Sequence, residues 1–239
     1  MSFSTELLKW YRKNARDLPW RQTRDPYHIW ISEIMLQQTT VAGVISYYKK
    51  WIKRYPSIAH VARAREESLL KLWQGLGYYQ RVRNLHQSAK IVCREFDGQL
   101  PENPELLKTL PGFGDYTVGA VASIAFNKKI PVIDANVRRV IKRILCMVDE
   151  NAGQGDNKIY KFLKAKLLRK NPGDFNQALM ELGALVCRPK APGCFDCPVR
   201  QFCQAYKKGL QEQIPSRNRR TIKTIEFAAA VISRTVTAW

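Results

Sequence analysis

Long apolar runs, histidine and strand-like patterns are all scarce in this 239-residue sequence. No segment is long and apolar enough to span a bilayer, and residues 1–16 are amphipathic, so neither a membrane span nor a signal peptide is expected. The three histidines form no local cluster and receive no role. What remains is an ordinary globular chain, 45% hydrophobic, with the mass for one large domain or two small ones.

Acidic residues are also in short supply. Aspartate and glutamate number 20 against 40 lysines and arginines, which leaves a net charge of +20. An excess of this size favours a polyanionic partner. Nucleic acid ranks first, ahead of an acidic membrane surface and of a merely basic soluble protein.

Apolar residues recur with helical spacing over most of the chain, which predicts an all-α fold. A loop is predicted at residues 151–155, and the one strand pattern begins at Ile222, after a basic stretch. A first helix is predicted to end near Asn14. The others span residues 27–39, 41–52, 69–73, 82–92, 116–126, 136–147, 158–169 and 175–187, with one short helix before the hairpin described below.

Four of the six cysteines lie in one short stretch and have the spacing C-x6-C-x2-C-x5-C; they are Cys187, Cys194, Cys197 and Cys203. Thiolates bind zinc or iron–sulfur clusters. A zinc site normally uses two short knuckles, whereas only one gap here is that short. The spacing therefore favours an iron–sulfur cluster held by a loop, with zinc and unligated thiols as the alternatives.

A helix–hairpin–helix signal, Leu-Pro-Gly-Phe-Gly-Asp-Tyr-Thr, occupies residues 110–117. Gly112 and Gly114 are expected to adopt backbone conformations closed to other residues and to expose N–H groups at the start of the next helix. In so basic a chain this favours a sequence-independent grip on one DNA phosphate over a simple turn between helices.

Two acids form a candidate catalytic pair. Glu33 lies among apolar residues, where a raised pKa suits proton donation. Asp134 precedes a basic helix, and the nearby Arg138 and Arg139 are expected to keep it ionised. Breaking a glycosidic bond needs one acid to protonate the leaving group and another to stabilise or attack the sugar. Taken singly, a half-exposed helix position would explain Glu33, and a helix N-cap would explain Asp134.

Other residues could open a duplex and hold an extruded base. The candidates for insertion into the base stack are Gln37, Gln38 and Tyr78. The candidates to line the base pocket are Trp20, Arg21 and Glu181. Glu181 lies in an apolar helix and is expected to have a partner.

The motifs of this chain are LPWR…DPYHIWISEIMLQQTTV, WQGLGYYQRVRNL, LPGFGDYTVGAV, PVIDANVRRV, FNQALMELGALVC and the four-cysteine loop. Together they resemble the adenine DNA glycosylases called MutY, which share the helix–hairpin–helix superfamily with endonuclease III. The resemblance covers residues 6–215. It implies removal of adenine mispaired with 8-oxoguanine or guanine from double-stranded DNA, in base excision repair.

The resemblance also implies two helical modules around a DNA-binding cleft. A six-helix barrel with the hairpin is expected at residues 18–129, and an iron–sulfur module at 1–17 and 130–206, with Asp134 at their junction. A basic linker is expected at 207–223. Residues 224–239 are expected to begin a Nudix-like domain, which recognises 8-oxoguanine in the family. Adenine excision is expected without it. A monomer in the bacterial cytoplasm, associated with the nucleoid, is expected.

Roles follow from the resemblance residue by residue. Glu33 would protonate adenine N7 and later activate water, and Asp134 would stabilise or bond to the sugar C1′. The remaining site residues are Asn136 and Tyr116 beside that intermediate, Trp20, Arg21 and Glu181 on the adenine, Gln38 and Tyr78 on the surrounding strand, and the four cysteines on a 4Fe-4S cluster. Endonuclease III relatives carry a Schiff-base lysine where this chain has Tyr116, and they lack an acid matching Glu33. This predicts a glycosylase without strand-cleaving activity.

Three alternatives stay open. A thymine-releasing G/T mismatch glycosylase shares the cluster, Tyr116 and both acids, but arginines are expected there in place of Gln37 and Gln38. A non-catalytic iron–sulfur DNA-binding module would need no Glu33. A zinc ribbon-like nucleic-acid binder would be colourless.

Overall fold

The computed structural model describes residues 2–148 and 152–216, and this part of the chain is helical. It contains twelve α-helices and no strand, which confirms the all-α fold class. The strand pattern and residues 217–223 of the basic linker lie outside the described residues. The helices are α1 Phe3–Asn14, α2 Pro26–Leu36, α3 Val41–Arg54, α4 Ile58–Arg63, α5 Glu66–Trp73, α6 Gln80–Glu95, α7 Pro104–Lys108, α8 Asp115–Ile124, α9 Ala135–Leu145, α10 Ala152–Lys166, α11 Pro172–Leu185 and α12 Gln204–Lys207.

Two buried clusters organise these helices. The first gathers apolar side chains from Leu18 to Val132. The second joins α1 to the chain between Val137 and Val199, and Met180 on α11 packs against both. Because α1 packs on α11, the N-terminal helix belongs with the later half of the chain. The segment between Val132 and Val137, which contains Asp134, connects the two clusters.

Helix α11 is the closest link between the two clusters, because two glycines let it approach its neighbours. A Cβ on Gly173 would lie 2.7 Å from Ile124 Cα, and one on Gly183 would lie 2.6 Å from Asn136 Cβ. Any side chain at these positions would force α11 away from α8 or α9. Gly183 thus sets the spacing behind Asn136.

The predicted loop at 151–155 is wrong, since α10 begins at Ala152. Gly153 and Gly155 lower helix propensity locally. Burial of Ile159 and Leu163 in the second cluster outweighs that local preference. The short helix α4 was not predicted either. None of the helices in the described ranges is long and apolar enough to cross a membrane.

Candidate active site

Glu33 lies in the middle of α2, a helix buried on nearly every side. Its side chain is 6% exposed, and the Tyr116 hydroxyl donates a 2.6 Å hydrogen bond to Glu33 Oε2. Burial raises the pKa of Glu33 to about 7, and the charge of Asp134 adds to this, while Tyr116 and Arg21 act in the opposite direction. Near neutral pH the carboxyl group can therefore both give and take a proton.

Asp134 is the N-cap of α9. Its Oδ1 accepts a 2.6 Å hydrogen bond from the Val137 backbone N–H, and its Oδ2 accepts a 3.1 Å bond from Asn136 Nδ2. Burial raises the pKa of Asp134, and these hydrogen bonds oppose that rise. The carboxyl group is therefore fixed in orientation by the start of α9.

Of the two arginines expected to keep Asp134 ionised, only Arg139 acts on its charge. Arg138 instead forms an ion pair with Asp156 on α10, at 2.7 Å. Arg139 points its guanidinium at Asn136 Oδ1 and at two backbone carbonyls, and only its charge acts on Asp134. The pKa of Asp134 moves upward because burial is the largest effect.

Tyr116 contacts Glu33 directly and senses the charge of Asp134. Burial, and then the charge of Glu33, raise the pKa of Tyr116 well above its ordinary value, so the hydroxyl stays protonated and donates. Asp134 influences both Tyr116 and Glu33 electrostatically. Tyr116 also lines an open groove of about 580 Å³ together with Ile133 and Arg138, and this groove brings solvent to the edge of the site.

Glu181 is fully buried on α11 and has the partners that its apolar surroundings require. It accepts hydrogen bonds from the backbone N–H, Nε and Nη2 of Arg16 at 2.7–2.9 Å, and from Arg21 Nη2 at 2.8 Å. Burial alone raises the pKa of Glu181, but these bonds outweigh it and bring the pKa down to about 2. Arg21 also lowers the pKa of Glu33, so this charged cluster lies close enough to act on Glu33.

Trp20 and Arg21 share a short 3-10 turn, Pro19–Arg21. Trp20 is buried and packs edge-on against Tyr48, with ring centroids 5.3 Å apart. Sequence reasoning missed Arg16. Its position five residues before Arg21 gave no local signal, because the contact with Glu181 spans 165 residues.

The three candidates for insertion into DNA divide into two groups. Gln38 and Tyr78 are exposed, Tyr78 by 62%, and both have left-handed backbone, with φ of 57° and 48°. Gln37 is half-buried, and its Nε2 donates to Thr117 Oγ1 at 3.3 Å. Gln37 therefore faces the interior, whereas Gln38 and Tyr78 are free to reach a partner.

The two hairpin glycines differ from each other. Gly112 has a φ of +82°, as expected of a position that favours glycine. Gly114 caps α8 with φ −77° and ψ 174°, which any residue can adopt, so the expectation of a special backbone there is wrong. A Cβ on Gly114 would have no atom within 4 Å. What Gly114 supplies is open space in front of the α8 N-terminus.

The four clustered cysteines are free thiols and line one cavity with apolar side chains such as Val140 and Ile144. Within residues 2–148 and 152–216, no group of three or more His, Cys, Asp or Glu side chains is arranged to hold a metal ion. The four thiols thus line one shared cavity.

Two buried arginines connect α9 to the cysteine loop. Arg139 donates to Asn136 Oδ1 at 2.8 Å, to the Gly183 carbonyl at 2.7 Å and to the Cys187 carbonyl at 2.8 Å. Arg143 donates to Cys187 Sγ at 3.3 Å and to the Arg188 carbonyl at 2.7 Å. Sequence reasoning gave these arginines no such role, although spacings of three and seven residues from Asn136 place them on the same side of the helix.

Comparison with known proteins gives a consistent picture. The family described as HhH-GPD superfamily base excision DNA repair protein matches residues 31–166. The adenine DNA glycosylases of Mus musculus and Homo sapiens are 42% and 43% identical over 223 residues; the matches cover 89% of this chain in both cases. An adenine DNA glycosylase of Buchnera aphidicola is 38% identical over 224 residues. This chain spans 43% and 41% of the mammalian relatives and 64% of the bacterial one.

Solved structures share the fold. A thermostable thymine-DNA glycosylase superposes with a TM-score of 0.77 at 32% identity, covering 86% of this chain and 95% of that one. Endonuclease III from a non-covalent DNA complex superposes with a TM-score of 0.73 at 22% identity, covering 87% and 95%. The second likeness concerns the fold alone.

Proposed function

Since the chain belongs to the HhH-GPD superfamily of base excision DNA repair proteins, we propose that it removes adenine mispaired with 8-oxoguanine or guanine from double-stranded DNA, as a monomer. The observation that carries the proposal is the buried Glu33, hydrogen-bonded to Tyr116 at 2.6 Å and held near a pKa of about 7 beside Asp134. The adenine DNA glycosylases among its relatives support the choice of base. A bacterial nucleoid location stays a prediction.

The first step uses Glu33 as a neutral acid. Its proton moves to N7 of the extruded adenine, the C1′–N9 bond breaks, and the bonding electron pair leaves with the base. A donor with a pKa of about 7 suits this transfer near neutral pH, because it is partly protonated and still acidic enough to give the proton up. Tyr116 orients the carboxyl group through its hydrogen bond.

The second step uses the two carboxylates in different ways. Asp134, held by Val137 and Asn136, stabilises the positive charge that develops on the sugar at C1′. Glu33, now ionised, takes a proton from the attacking water and returns to its starting state. In this account Tyr116 supplies no amine, so no Schiff base forms and the DNA strand stays uncut.

The surrounding residues supply recognition. The Arg16–Arg21–Glu181 cluster gives a fixed array of charged donors and acceptors near Glu33, where, with Trp20, it can read the edge of adenine. Gly112 and the open N-terminus of α8 at Gly114 suit one DNA phosphate. Gln38 and Tyr78 would contact the strand around the mispair. Division into a barrel at 18–129 and a second module at 1–17 and 130–206 is supported by the two buried clusters.

A 4Fe-4S cluster is proposed in the cavity lined by Cys187, Cys194, Cys197 and Cys203. Four free thiols around one apolar cavity suit it, and Arg143 lies 3.3 Å from Cys187 Sγ, where a cation would stabilise a thiolate. When bound, the cluster would join Cys187, which follows α11, to the loop and to Cys203 at the start of α12. Cys197→Ser should lower the iron content of the purified protein relative to the wild type.

Single-turnover assays on three duplexes test the proposed function. Adenine release is expected opposite 8-oxoguanine and opposite guanine, without borohydride trapping of the protein on DNA. Thymine release from a T:G duplex with no adenine release would favour the thymine-releasing alternative. Glu33→Gln and Asp134→Asn should each abolish release while leaving duplex binding nearly unchanged, and Glu95→Gln, on the exposed surface, is the matched control. Wild-type turnover in either site variant would contradict the mechanism.

A further inference from the structure

The two loops that carry Gln38 and Tyr78 are joined through one side chain, Arg81 near the start of α6. Its Nη1 donates to the carbonyls of Ile34 at 2.7 Å, Met35 at 3.3 Å and Gln37 at 2.6 Å. Its Nη2 donates to the carbonyls of Leu76 at 2.9 Å and Gly77 at 3.1 Å. One guanidinium thus serves five carbonyls from two separate parts of the chain.

The positions of these carbonyls connect Arg81 to the exposed residues. The Gln37 carbonyl belongs to the peptide group that enters Gln38, and the Gly77 carbonyl belongs to the peptide group that enters Tyr78. Arg81 also lies under the Tyr78 ring, with 5.6 Å from Cζ to the ring centroid. It therefore fixes the peptide planes of both loops and the side chain of one.

The conformations involved need such support. Gln38 and Tyr78 both have left-handed backbone, which is unfavourable for residues other than glycine. Such conformations persist only where the surrounding structure imposes them. A planar guanidinium with five donors can reach both loops at once, whereas a lysine ammonium presents three donors from a single atom.

We propose that Arg81 is a positioning residue that locks the Gln38 and Tyr78 loops into one rigid wedge, and that it acts on base extrusion through these two residues. The proposal rests on the proposed excision of a base from duplex DNA. Extrusion requires side chains that replace the departing base in the stack. A wedge whose two halves move independently would fill that gap less often. The five hydrogen bonds of Arg81 go to backbone carbonyls other than those of Glu33 and Asp134, so it is given no part in the chemistry.

Arg81→Lys tests the proposal against Arg83→Lys. Arg83 lies on the same helix but forms a surface ion pair with Glu66 at 3.2 Å. Arg83→Lys therefore makes the same substitution without removing the contacts to the two loops. Extrusion is followed in the Glu33→Gln background by the fluorescence of 2-aminopurine placed beside the target adenine. Arg81→Lys should lower the fluorescence change in that background. With Glu33 present, it should slow adenine release by about ten- to a hundred-fold, the range expected for small misplacements. Arg83→Lys should match the wild type.

Two further readouts separate positioning from a general loss of structure. The pH dependence of release, which reports Glu33, should keep its position in Arg81→Lys. In the Tyr78→Ala background the Arg81→Lys change should cost much less than in the wild type, because the two act together. Independent, multiplicative effects, or wild-type extrusion in Arg81→Lys, would overturn the proposal. If the lysine variant does not fold, Arg81→Gln is used with the same expectations.

The outcomes also separate this proposal from the proposed function. If the wild type releases no adenine, adenine excision is wrong, and the fluorescence measurement still tests Arg81. If the wild type releases adenine and Arg81→Lys equals it in rate and fluorescence, the positioning role alone is wrong.

Discussion

Replacing Glu33 with glutamine separates the chemical task of this acid from its effect on stability. Burial raises the pKa of Glu33 from 4.5 to about 7 in the folded chain. Between these values the folded chain holds a proton that the unfolded chain has lost. Glutamine resembles the protonated acid in shape and charge, and its carbonyl can still accept the hydrogen bond from Tyr116.

The size and sign of the effect follow from proton linkage. Stability falls with rising pH wherever the folded state binds more protons than the unfolded state. Because its folded-state pKa is raised, the contribution of Glu33 is fully present below about pH 4.5 and is lost as the pH rises through about 7. At about 1.36 kcal/mol per pH unit, that span amounts to about 3 kcal/mol.

Glu33→Gln should therefore unfold with a free energy about 3 kcal/mol higher than that of the wild type at pH 8, and no more than about 1 kcal/mol higher at pH 5. Urea unfolding followed by circular dichroism at both pH values measures the difference. The same variant should release no adenine. Glu95→Gln removes an exposed charge that pairs with Arg94, and should change the unfolding free energy by less than about 1 kcal/mol.

The outcome that refutes this reasoning is specific. A Glu33→Gln variant equal to or less stable than the wild type at pH 8 would mean that the folded chain does not hold Glu33 as a protonated acid. Base release at the wild-type rate would remove Glu33 from the mechanism. If Glu33 is a proton donor that lowers the stability of the fold, its glutamine variant should be more stable than the wild type and inactive.

Three other predictions follow from the same geometry. Tyr116→Phe removes a hydrogen bond that lowers the pKa of Glu33, so the loss of adenine release at high pH should occur at a higher pH in single-turnover profiles. A shift to lower pH would contradict the assignment of Glu33 as the proton donor. Gly114→Ala should keep wild-type stability but weaken DNA binding measured by anisotropy, because its Cβ would occupy the open space where a phosphate is expected. Gly112→Ala should instead lower the unfolding free energy, because Gly112 has a φ of +82°. Gly183→Ala, whose Cβ would lie 2.6 Å from the neighbouring helix α9, should cost about 1–3 kcal/mol in urea unfolding and slow adenine release; unchanged stability would show that α11 can shift freely.

Local patterns were enough to find the parts of the site that depend on a single helix. Glu33 among apolar neighbours predicted burial and a raised pKa, and both are present in the structure. The helix N-cap offered as the structural explanation of Asp134 is present, with its hydrogen bond from the Val137 backbone N–H. Both results depend on neighbours within four residues, where side-chain spacing on a helix is fixed by its geometry.

Contacts between distant segments could not be read in this way. Glu181 was expected to have a partner, but nothing in the sequence selects Arg16 and Arg21, some 160 residues away. Arg81 is one of 40 basic residues, and only the folded chain reveals that its guanidinium faces two loops. The backbone of Gly114 also depends on how the hairpin meets α8, so a glycine in a motif does not by itself indicate a positive φ.

The two buried glutamates explain why neither burial nor sequence context alone assigns a chemical role. Glu33 and Glu181 lie inside apolar helices and are almost equally hidden from solvent. Glu33 receives one hydrogen bond from a neutral hydroxyl and lies near a second carboxyl group, so burial dominates and its pKa rises to about 7. Glu181 receives four hydrogen bonds from two arginines, so its pKa falls to about 2 and it stays ionised near neutral pH. Only the first can exchange a proton near neutral pH, whereas the oxygens of the second are engaged by Arg16 and Arg21. The proposed function assigns proton transfer to the first and the positioning of Arg21 to the second, and the charge of Arg21 acts on both.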